Sequence, residues 1–368
     1  MKTNPSSFPR FALAWAALAM AGLSVPLRVP AASLETPTHK EIAPIRFSIG
    51  PEGLLKTIAM DAKGNLLVGV SWAEGGVSAH APRVLAPPPG KRTDPRQNDP
   101  SARGGINPAL AIDRAGHAYA LKVVSSEGKI LATWPMSGGL QPKMIFGCDD
   151  GTVYVAGGGQ LAQFTAEGKL VRMLDTDKLS GQKAQAAGLC ADATHVYLAL
   201  GMGNSLRATE DFYRFKRDLS EPKLIVERQY GCCSHIDLRV AKGELLIAEN
   251  SRHRVNRFDL DGKPLGTWGR RDRESLAGFA ACCNPCNFDF GPGGVLYTCE
   301  SGVGRVKKYA QDGTFLGLVG YVDTTKFDQG SQLAAQSCYI PMEVNHDASR
   351  IYVMDVRAHI IRVLAKQD

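Results

Sequence analysis

Two pairs of adjacent cysteines are the residues of this chain best suited to chemistry. Cys232-Cys233 and Cys282-Cys283 lie fifty residues apart, and each pair precedes a similar strand-turn-strand unit by nearly the same distance. A single cysteine, Cys338, precedes the next such unit. If the units are arranged around one axis, the five sulfur atoms lie close to one another at one end of that axis.

Cysteine thiolates and imidazole nitrogens bind zinc and copper(I), and cysteines also hold iron–sulfur clusters. His235 follows Cys233 by two residues, and Cys286 forms a C-x-x-C pair with Cys283. We therefore predict a soft-metal site or a thiol redox site. Zinc or copper is favoured over an iron–sulfur cluster, because the N-terminus is typical of an export signal, a cluster built before export needs the twin-arginine route, and no twin arginine precedes the N-terminal apolar run. The predicted ligands are Cys232, Cys233, His235, Cys282, Cys283, Cys286 and Cys338.

Structural disulfides explain the same cysteines without a metal. A bond between the two adjacent pairs closes a loop of about fifty residues and contributes about 4 kcal/mol in the chain-entropy model. A bond within either pair is strained and more easily reduced, so it can act as a redox switch. The chain has nine cysteines, so at least one is free, metal-bound or paired with another molecule. The remaining three are expected to be small buried hydrophobic residues: Cys148, Cys190 and Cys299.

The cysteines are positioned by a repeated pattern of a short apolar strand, a turn of Gly, Asp or Asn, and a second apolar strand. Alternating apolar and polar residues around Asp-Gly turns are typical of β-hairpins. Four-stranded units that recur every thirty to fifty-five residues indicate the blades of a β-propeller. We count seven inner hairpins and predict an all-β propeller of six or seven blades. The hairpins are Thr57–Val70, Pro108–Leu121, Lys143–Ala156, Ala187–Leu200, His235–Asn250, Asn287–Glu300 and Met342–Asp355.

Two segments, AENSRHRVNRFDLDGKPLGTWG and TCESGVGRVKKYAQDGTFLGLVG, resemble the consensus of the NHL-repeat family of β-propellers. The resemblance is strongest over residues 235–365. It implies a ring that is commonly six-bladed and that often presents one face to a partner. One of the first two hairpins is then an insertion, next to a long exposed loop at Val84–Gly105 that is rich in Pro and Gly.

In a propeller, the loop that enters the first strand of a blade and the turn after its second strand open on the same face. We therefore expect the predicted ligands and Asn284 to surround one mouth of the central channel. The residues that follow the second strands are expected to join them: Glu249, Asn250, His253, Glu300, Arg357 and His359.

Three acids, Glu249, Glu300 and Asp355, recur at one position in successive units, close to Arg254 and Arg305. An acid that recurs beside an arginine is predicted to be an inter-blade brace. The alternative is a hydrolase or lyase site, since lactonase-like propellers hold calcium with such residues and lyase-like propellers hold zinc with histidines. The chain has no matching set of histidines, and cysteine-rich loops belong to neither pattern.

The N-terminus is typical of an export signal. Lys2 and Arg10 supply positive charge, and the apolar run Phe11–Val25 is too short for a comfortable membrane span. We assign residues 1–31 to a signal peptide, 32–43 to a linker and 44–368 to one propeller domain, and we expect a periplasmic or secreted protein. Since the last hairpin is followed by too few strands, the stretch Pro44–Ile49 is predicted to complete the last blade.

The composition limits the function classes. The chain is 44% hydrophobic and 21% charged, as in globular proteins, and its net charge of +7 is not concentrated in a basic cluster that would bind nucleic acid. No segment after residue 31 is long and apolar enough to span a membrane. No Ser-His-Asp order, P-loop or dinucleotide fingerprint is present, so enzymatic activity is left open. We expect a monomer whose mouth face binds a redox or other protein partner. The alternative is a binding scaffold stiffened by disulfides.

Overall fold

The computed structural model describes residues 34–50, 53–73, 117–181, 183–202, 209–232, 235–280, 283–285, 287–301, 303–322, 340–355 and 358–368. Within these ranges the chain forms 24 strands in six four-stranded antiparallel sheets. They also contain one short α-helix, α1 (Thr176–Ser180), and two 3₁₀ turns, Asn250–Arg252 and Pro292–Gly294. None of these helical segments is long and apolar enough to cross a membrane. The predicted signal peptide and the predicted loop Val84–Gly105 lie outside the described residues.

Each sheet is one blade, and its four strands follow one another from the inner edge to the outer edge. Blade 1 contains β2 (Leu54–Met60), β3 (Leu66–Ala73), β4 (His117–Val124) and β5 (Ile130–Pro135). Blade 2 contains β6 (Met144–Gly147), β7 (Val153–Gly157), β8 (Gln160–Phe164) and β9 (Leu170–Asp175). Blade 3 contains β10 (Ala184–Ala191), β11 (His195–Met202), β12 (Glu210–Lys216) and β13 (Lys223–Gln229).

Blades 4 to 6 follow the same plan, except that the outer strand of blade 6 comes from the N-terminus. Blade 4 contains β14 (Leu238–Ala241), β15 (Glu244–Glu249), β16 (Arg254–Asp259) and β17 (Pro264–Trp268). Blade 5 contains β18 (Asn287–Gly291), β19 (Val295–Glu300), β20 (Arg305–Tyr309) and β21 (Phe315–Tyr321). Blade 6 contains β22 (Met342–Val344), β23 (Arg350–Asp355), β24 (Ile360–Lys366) and β1 (His39–Ile45).

The six sheets form a closed ring. The inner strands contact one another in chain order, and β22 of the last blade returns to β2 of the first. Six apolar clusters fill the ring among the described residues, one between each pair of neighbouring blades. Their members come mostly from alternate positions of strands rich in Val, Ile and Leu, which suit a pleated surface buried between two sheets. The structure is therefore a six-bladed β-propeller, and the predicted fold class is confirmed.

The count of seven hairpins is wrong by one. The predicted hairpin Pro108–Leu121 ends inside β4, which is the third strand of blade 1 and pairs with β3 and β5. Residues 74–116 lie between β3 and β4 in the chain and outside the described residues. The apolar pattern up to Leu121 was interpreted as a new inner hairpin because alternation of apolar and polar residues does not show which strand a segment pairs with.

The predicted closure of the ring by an N-terminal strand is confirmed, although at an earlier position. The strand is β1, His39–Ile45, which pairs with β24 at the outer edge of blade 6. It begins within residues 32–43, the stretch assigned to a linker. Pro44 falls at an irregularity of the pairing between Ile42 and Ile45, where a residue without an N–H group is tolerated at a sheet edge.

Candidate functional site: the cysteine-bearing mouth

The loops that enter β14 and β18 meet on one face of the ring, and we name this face the mouth face. Cys232 lies between β13 and β14, Cys283 lies between β17 and β18, and the two form a disulfide with a Cα–Cα distance of 5.5 Å. The bond joins blades 4 and 5. One predicted pairing, a disulfide from one adjacent pair to the other, is therefore confirmed. It uses the first cysteine of the earlier pair and the second cysteine of the later pair.

The remaining predicted ligands are described only in part. Cys233, Cys282, Cys286 and Cys338 lie outside the described residues. His235 lies in the same turn as Cys232, is 3% exposed, and its backbone N–H donates to the Cys232 carbonyl at 3.3 Å. No group of three or more His, Cys, Asp or Glu residues with a metal-binding arrangement occurs in the described ranges. The soft-metal site stays a prediction. Two of its predicted ligands, Cys232 and Cys283, are bonded to each other, and only after reduction could they bind a metal as thiolates.

Buried side chains hold the Cys232 loop at three successive N–H groups, those of residues 230–232. The first donates to Glu249 Oε1 at 3.3 Å, the second to Glu210 Oε2 at 2.6 Å and the third to Asn250 Oδ1 at 2.7 Å. The Asn250 amide also donates to the His235 carbonyl at 3.0 Å. Because each N–H of this segment has a side-chain acceptor, the backbone around Cys232 is fixed although it belongs to no strand.

The Cys283 loop is held in a related way. The N–H of Ala280 donates to Glu300 Oε2 at 2.9 Å, as that of residue 230 does to Glu249. Asn284 Oδ1 accepts from the Ser301 N–H at 2.8 Å, and its amide donates to the Ser301 carbonyl at 3.2 Å. Residues that follow the second strands therefore contact the loops that enter the first strands. For blades 4 and 5 these contacts agree with the predicted mouth, and the arrangement of the other predicted residues around it stays a prediction.

The recurring acids brace single blades. Each lies at the end of a second strand and forms an ion pair with an arginine of the third strand in the same blade. The pairs are Glu249 with Arg254, Glu300 with Arg305 (Oε1–Nε, 2.9 Å) and Asp355 with Arg362 (Oδ2–Nε, 2.7 Å). The predicted brace between blades is thus a brace within a blade, and the carboxylates of Glu249 and Glu300 also hold the cysteine loops.

Lys307 adds a second cation to the Glu300 pair. Its ammonium lies 2.7 Å from Glu300 Oε1, donates to the Leu276 carbonyl at 2.9 Å, and stands 4.6 Å from the centre of the Phe279 ring. Burial lowers the pKa of Lys307 to about 8, while the Glu300 carboxylate opposes that shift. This lysine fixes the segment of the Cys283 loop that follows β17.

Glu210 is the exception among the buried acids of the mouth, and sequence reasoning missed it. It is 0% exposed, its Oε1 has no hydrogen-bond partner, and it forms no ion pair with any residue that the structure describes. Burial raises the pKa of Glu210 to about 8, even though the Gly231 N–H bond lowers it. A Cβ on Gly231 would lie 2.6 Å from Glu210 Oε1, so this contact requires glycine immediately before Cys232. No feature of the sequence marks Glu210 as buried.

An ion cluster lies in the channel below the mouth, and it too was missed. Arg239 in β14 contacts Asp237 Oδ1 at 2.8 Å, Asp289 Oδ1 in β18 at 3.3 Å and Glu343 Oε1 in β22 at 3.4 Å. Its guanidinium also lies 5.7 Å from the ring centre of Phe146 in blade 2, so Arg239 contacts residues of three other blades. Burial raises the pKa of Asp289 and that of Glu343, and Arg239 opposes both shifts.

The histidines predicted at the mouth lie in turns, and the three remaining cysteines are buried. His253 and His359 both adopt left-handed backbone conformations, with φ of 57° and 52°, in the turns after the second strands of blades 4 and 6. Arg357 lies outside the described residues. The three remaining cysteines are buried as predicted: Cys148, Cys190 and Cys299. Burial raises the pKa of Cys148 to about 12, so its thiol stays protonated and unreactive at neutral pH.

No family model and no curated protein matches this sequence, so NHL membership stays a prediction. Among solved structures, the chain is similar to a protein of unknown function from Bacteroides thetaiotaomicron, with 14% identity and a TM-score of 0.52 over 91% of this chain and 74% of that one. It is also similar to a gluconolactonase from Xanthomonas campestris, with 11% identity and a TM-score of 0.51 over 90% and 99%. A third similar structure is the calcium-binding protein regucalcin from Agrobacterium tumefaciens, with 13% identity and a TM-score of 0.50 over 88% and 94%. At these identities the similarity shows the fold alone, a six-bladed β-propeller.

Proposed function

We propose that this chain is an exported, NHL-type propeller whose mouth disulfide takes part in thiol–disulfide exchange. The observation that carries the proposal is the bond between Cys232 and Cys283, because each of these residues has another cysteine next to it in the chain. A purely structural bond between two blades needs one cysteine in each loop. The additional Cys233 and Cys282 put further thiols next to the bonded residues in the chain, where exchange can occur.

The two sulfurs of the disulfide differ in accessibility. Cys283 is 1% exposed, whereas Cys232 is half-buried. A thiolate of an external dithiol therefore attacks Cys232 Sγ, a mixed disulfide forms there, and Cys283 leaves as a thiolate. The second thiolate of the dithiol then attacks the dithiol sulfur that is bonded to Cys232. The bond to Cys232 breaks, Cys232 leaves as a thiolate, and the dithiol is oxidised to a disulfide. The bond between the blades gains two electrons, and water supplies the protons for both released thiolates.

A soft metal is the second candidate, and it requires the reduced state. The disulfide distance places the sulfurs of Cys232 and Cys283 where both can reach one ion, and His235 lies in the same turn. With Cys233, Cys282, Cys286 and Cys338 the reduced chain would offer thiolate and imidazole donors, which suit zinc or copper(I). A metal bound there would hold the loops together or transfer electrons to a partner on the mouth face.

Thiol counting and elemental analysis of protein purified without oxygen test both candidates. For exchange, we expect a small dithiol to reduce one bond in the folded protein, and peptide mapping to identify that bond as Cys232–Cys283. The matched variant Cys148→Ala removes a buried cysteine in the turn between β6 and β7, at the end of the strands opposite the mouth, and should leave the result unchanged. A bond that resists the dithiol until the protein unfolds refutes exchange and favours the scaffold role. Stoichiometric zinc or copper that is lost in Cys232→Ser, but retained in Cys148→Ala, favours the metal candidate.

Export is proposed from residues 1–31 and is consistent with the disulfide, since such bonds persist mainly in oxidising compartments. Cell fractionation and N-terminal sequencing of the purified protein test this part. Mature protein that begins near residue 32 in the periplasmic or secreted fraction is the expected result. A cytoplasmic protein with its N-terminal methionine would remove export from the proposal.

A further inference from the structure

A second concave site lies on the mouth face, away from the cysteines. It is a cleft of about 410 Å³ between blades 2 and 3. Its walls come from the residue before β6, the turn after β7, helix α1 and the start of β10. These are the same types of loop that carry Cys232 and Asn250 in blade 4, so the cleft opens on the same side of the ring. Its polar lining consists of Lys143, Gly158, Gly159, Asp177, Lys183 and Gln185.

The turn after β7 supplies two backbone donors to the cleft. Gly158 and Gly159 connect β7 to β8 with left-handed φ values of 65° and 76°. Neither N–H donates a hydrogen bond to any described part of the chain. A Cβ on Gly158 would lie 2.1 Å from the Gly139 carbonyl oxygen, so this turn requires glycine. Successive N–H groups in such a turn form a concavity that attracts anions.

Two lysines place positive charge on the same cleft. Lys143 is 5% exposed, and its stem packs against Gly157, where a Cβ would lie 2.9 Å from Lys143 Cγ. Lys183, just before β10, is exposed at the rim. A buried ammonium is stabilised by nearby oxygen acceptors, and a rim lysine adds attraction for a negatively charged ligand entering from water.

Asp177 adds one acceptor to this set of donors. Its Oδ1 accepts from the Ala184 N–H at 3.1 Å, which orients the carboxylate. A Cβ on Gly159 would lie 3.1 Å from Asp177 Oδ2, so the carboxylate packs directly against the glycine turn at one side of the cleft. A ligand that fits this lining carries an oxyanion for the lysines and the glycine N–H groups. It also carries a hydroxyl or amino group for Asp177.

We propose that the cleft between blades 2 and 3 binds a small oxyanion, a carboxylate or a phosphate, that also offers a hydrogen-bond donor. This site goes beyond the thiol chemistry of the mouth and does not depend on it, because none of its lining residues is a cysteine. At about 410 Å³ the cleft is large enough for a small metabolite.

Calorimetric titration of the full-length protein with inorganic phosphate and with malate, a dicarboxylate that carries a hydroxyl group, tests the site. We expect saturable binding of at least one probe in the millimolar range or below, with one site per chain. Saturation by phosphate alone or by malate alone identifies which oxyanion the cleft takes. If neither probe saturates in the millimolar range, the proposal is overturned.

Two variants separate the cleft from general attraction to a basic protein. Lys183→Gln removes a rim charge without disturbing the core and is expected to weaken binding about tenfold. Lys178→Gln removes an exposed charge of helix α1 that does not line the cleft, and it is expected to bind like the wild type. Lys143→Gln is expected to weaken binding further, provided that its melting profile matches the wild type. Equal binding by the wild type and Lys183→Gln would overturn the proposal, whatever Lys143→Gln does.

Discussion

Replacing Glu210 with Gln should make the protein more stable at high pH and leave it nearly unchanged at low pH. Glu210 Oε2 accepts from the Gly231 N–H at 2.6 Å, and a glutamine oxygen can keep that bond. The substitution therefore preserves the contact beside Cys232 and removes only the ability of the side chain to ionise. Among the buried acids of the mouth it is the suitable one to test, because the others are paired with arginine.

The sign follows from where the proton is bound. The pKa of Glu210 rises from 4.5 to about 8 on folding because the group is buried. Between these values the folded protein holds a proton that the unfolded chain has released, so the free energy of unfolding decreases as the pH rises. The shift corresponds to about 5 kcal/mol if the carboxylate stays dry, and to less if water enters, so we expect a difference of about 2–5 kcal/mol.

Urea unfolding of both proteins at about pH 5 and about pH 9 measures this difference. At the lower pH the two free energies of unfolding should agree within about 1 kcal/mol, and at the higher pH Glu210→Gln should be the more stable protein. Glu227→Gln, an exposed change in the adjacent strand β13, is the control and should follow the wild type at both values. A pH-independent gap between Glu210→Gln and the wild type would refute a buried, unpaired carboxyl at this position.

Three further perturbations test the ring and its mouth. Arg239→Met leaves three buried carboxyl groups around no cation and should lower the free energy of unfolding by about 3–5 kcal/mol at neutral pH. That loss should shrink on acidification, because the raised pKa values of Asp289 and Glu343 allow early protonation; an unchanged loss at low pH would contradict the cluster. Replacing Cys232 and Cys283 together with Ser should cost about 4 kcal/mol in urea unfolding, and a cost near zero would mean that the bond is absent in solution. Deleting residues 39–45 removes β1 and should lower the melting temperature of the whole ring in one transition; a separate early transition confined to blade 6 would argue against closure by this strand.

Local patterns were sufficient to predict most of the fold. Asp-Gly and Asn-containing turns with flanking alternation identify hairpins because both signals act over a few residues. The error at Pro108–Leu121 arose because these signals act only over short distances in the sequence. Alternation of apolar and polar residues does not reveal which strand a segment pairs with. The early start of β1 was missed because Pro44 looked like the first residue of a strand, whereas it lies at an irregularity near its end.

The ionic features could not be predicted because they depend on ring closure. Arg239 contacts acids of blades 5 and 6, and those contacts exist only when six inner strands surround one axis. In the sequence, Arg239 and Glu343 look like solvent-facing strand residues. Glu210 had no signal at all, since its burial depends on how the Cys232 loop folds over the start of β12. The cysteine mouth was predictable because the same position recurs in successive blades.

The ring geometry also bears on which cysteine of each adjacent pair forms the bond. Glu249 accepts from the N–H of residue 230 and Glu300 from that of residue 280, and Cys232 and Cys282 each follow that residue by two positions in the sequence. The disulfide joins Cys232 to Cys283, which are not equivalent. Equivalent atoms of neighbouring blades are separated by the blade spacing, whereas the two bonded residues have a Cα–Cα distance of 5.5 Å. The bond thus uses the first cysteine of one pair and the second cysteine of the other. It leaves over Cys233 in the first pair and Cys282 in the second. The exchange that we propose acts on the Cys232–Cys283 bond, and the presence of these two remaining cysteines is what distinguishes the arrangement from a purely structural bond.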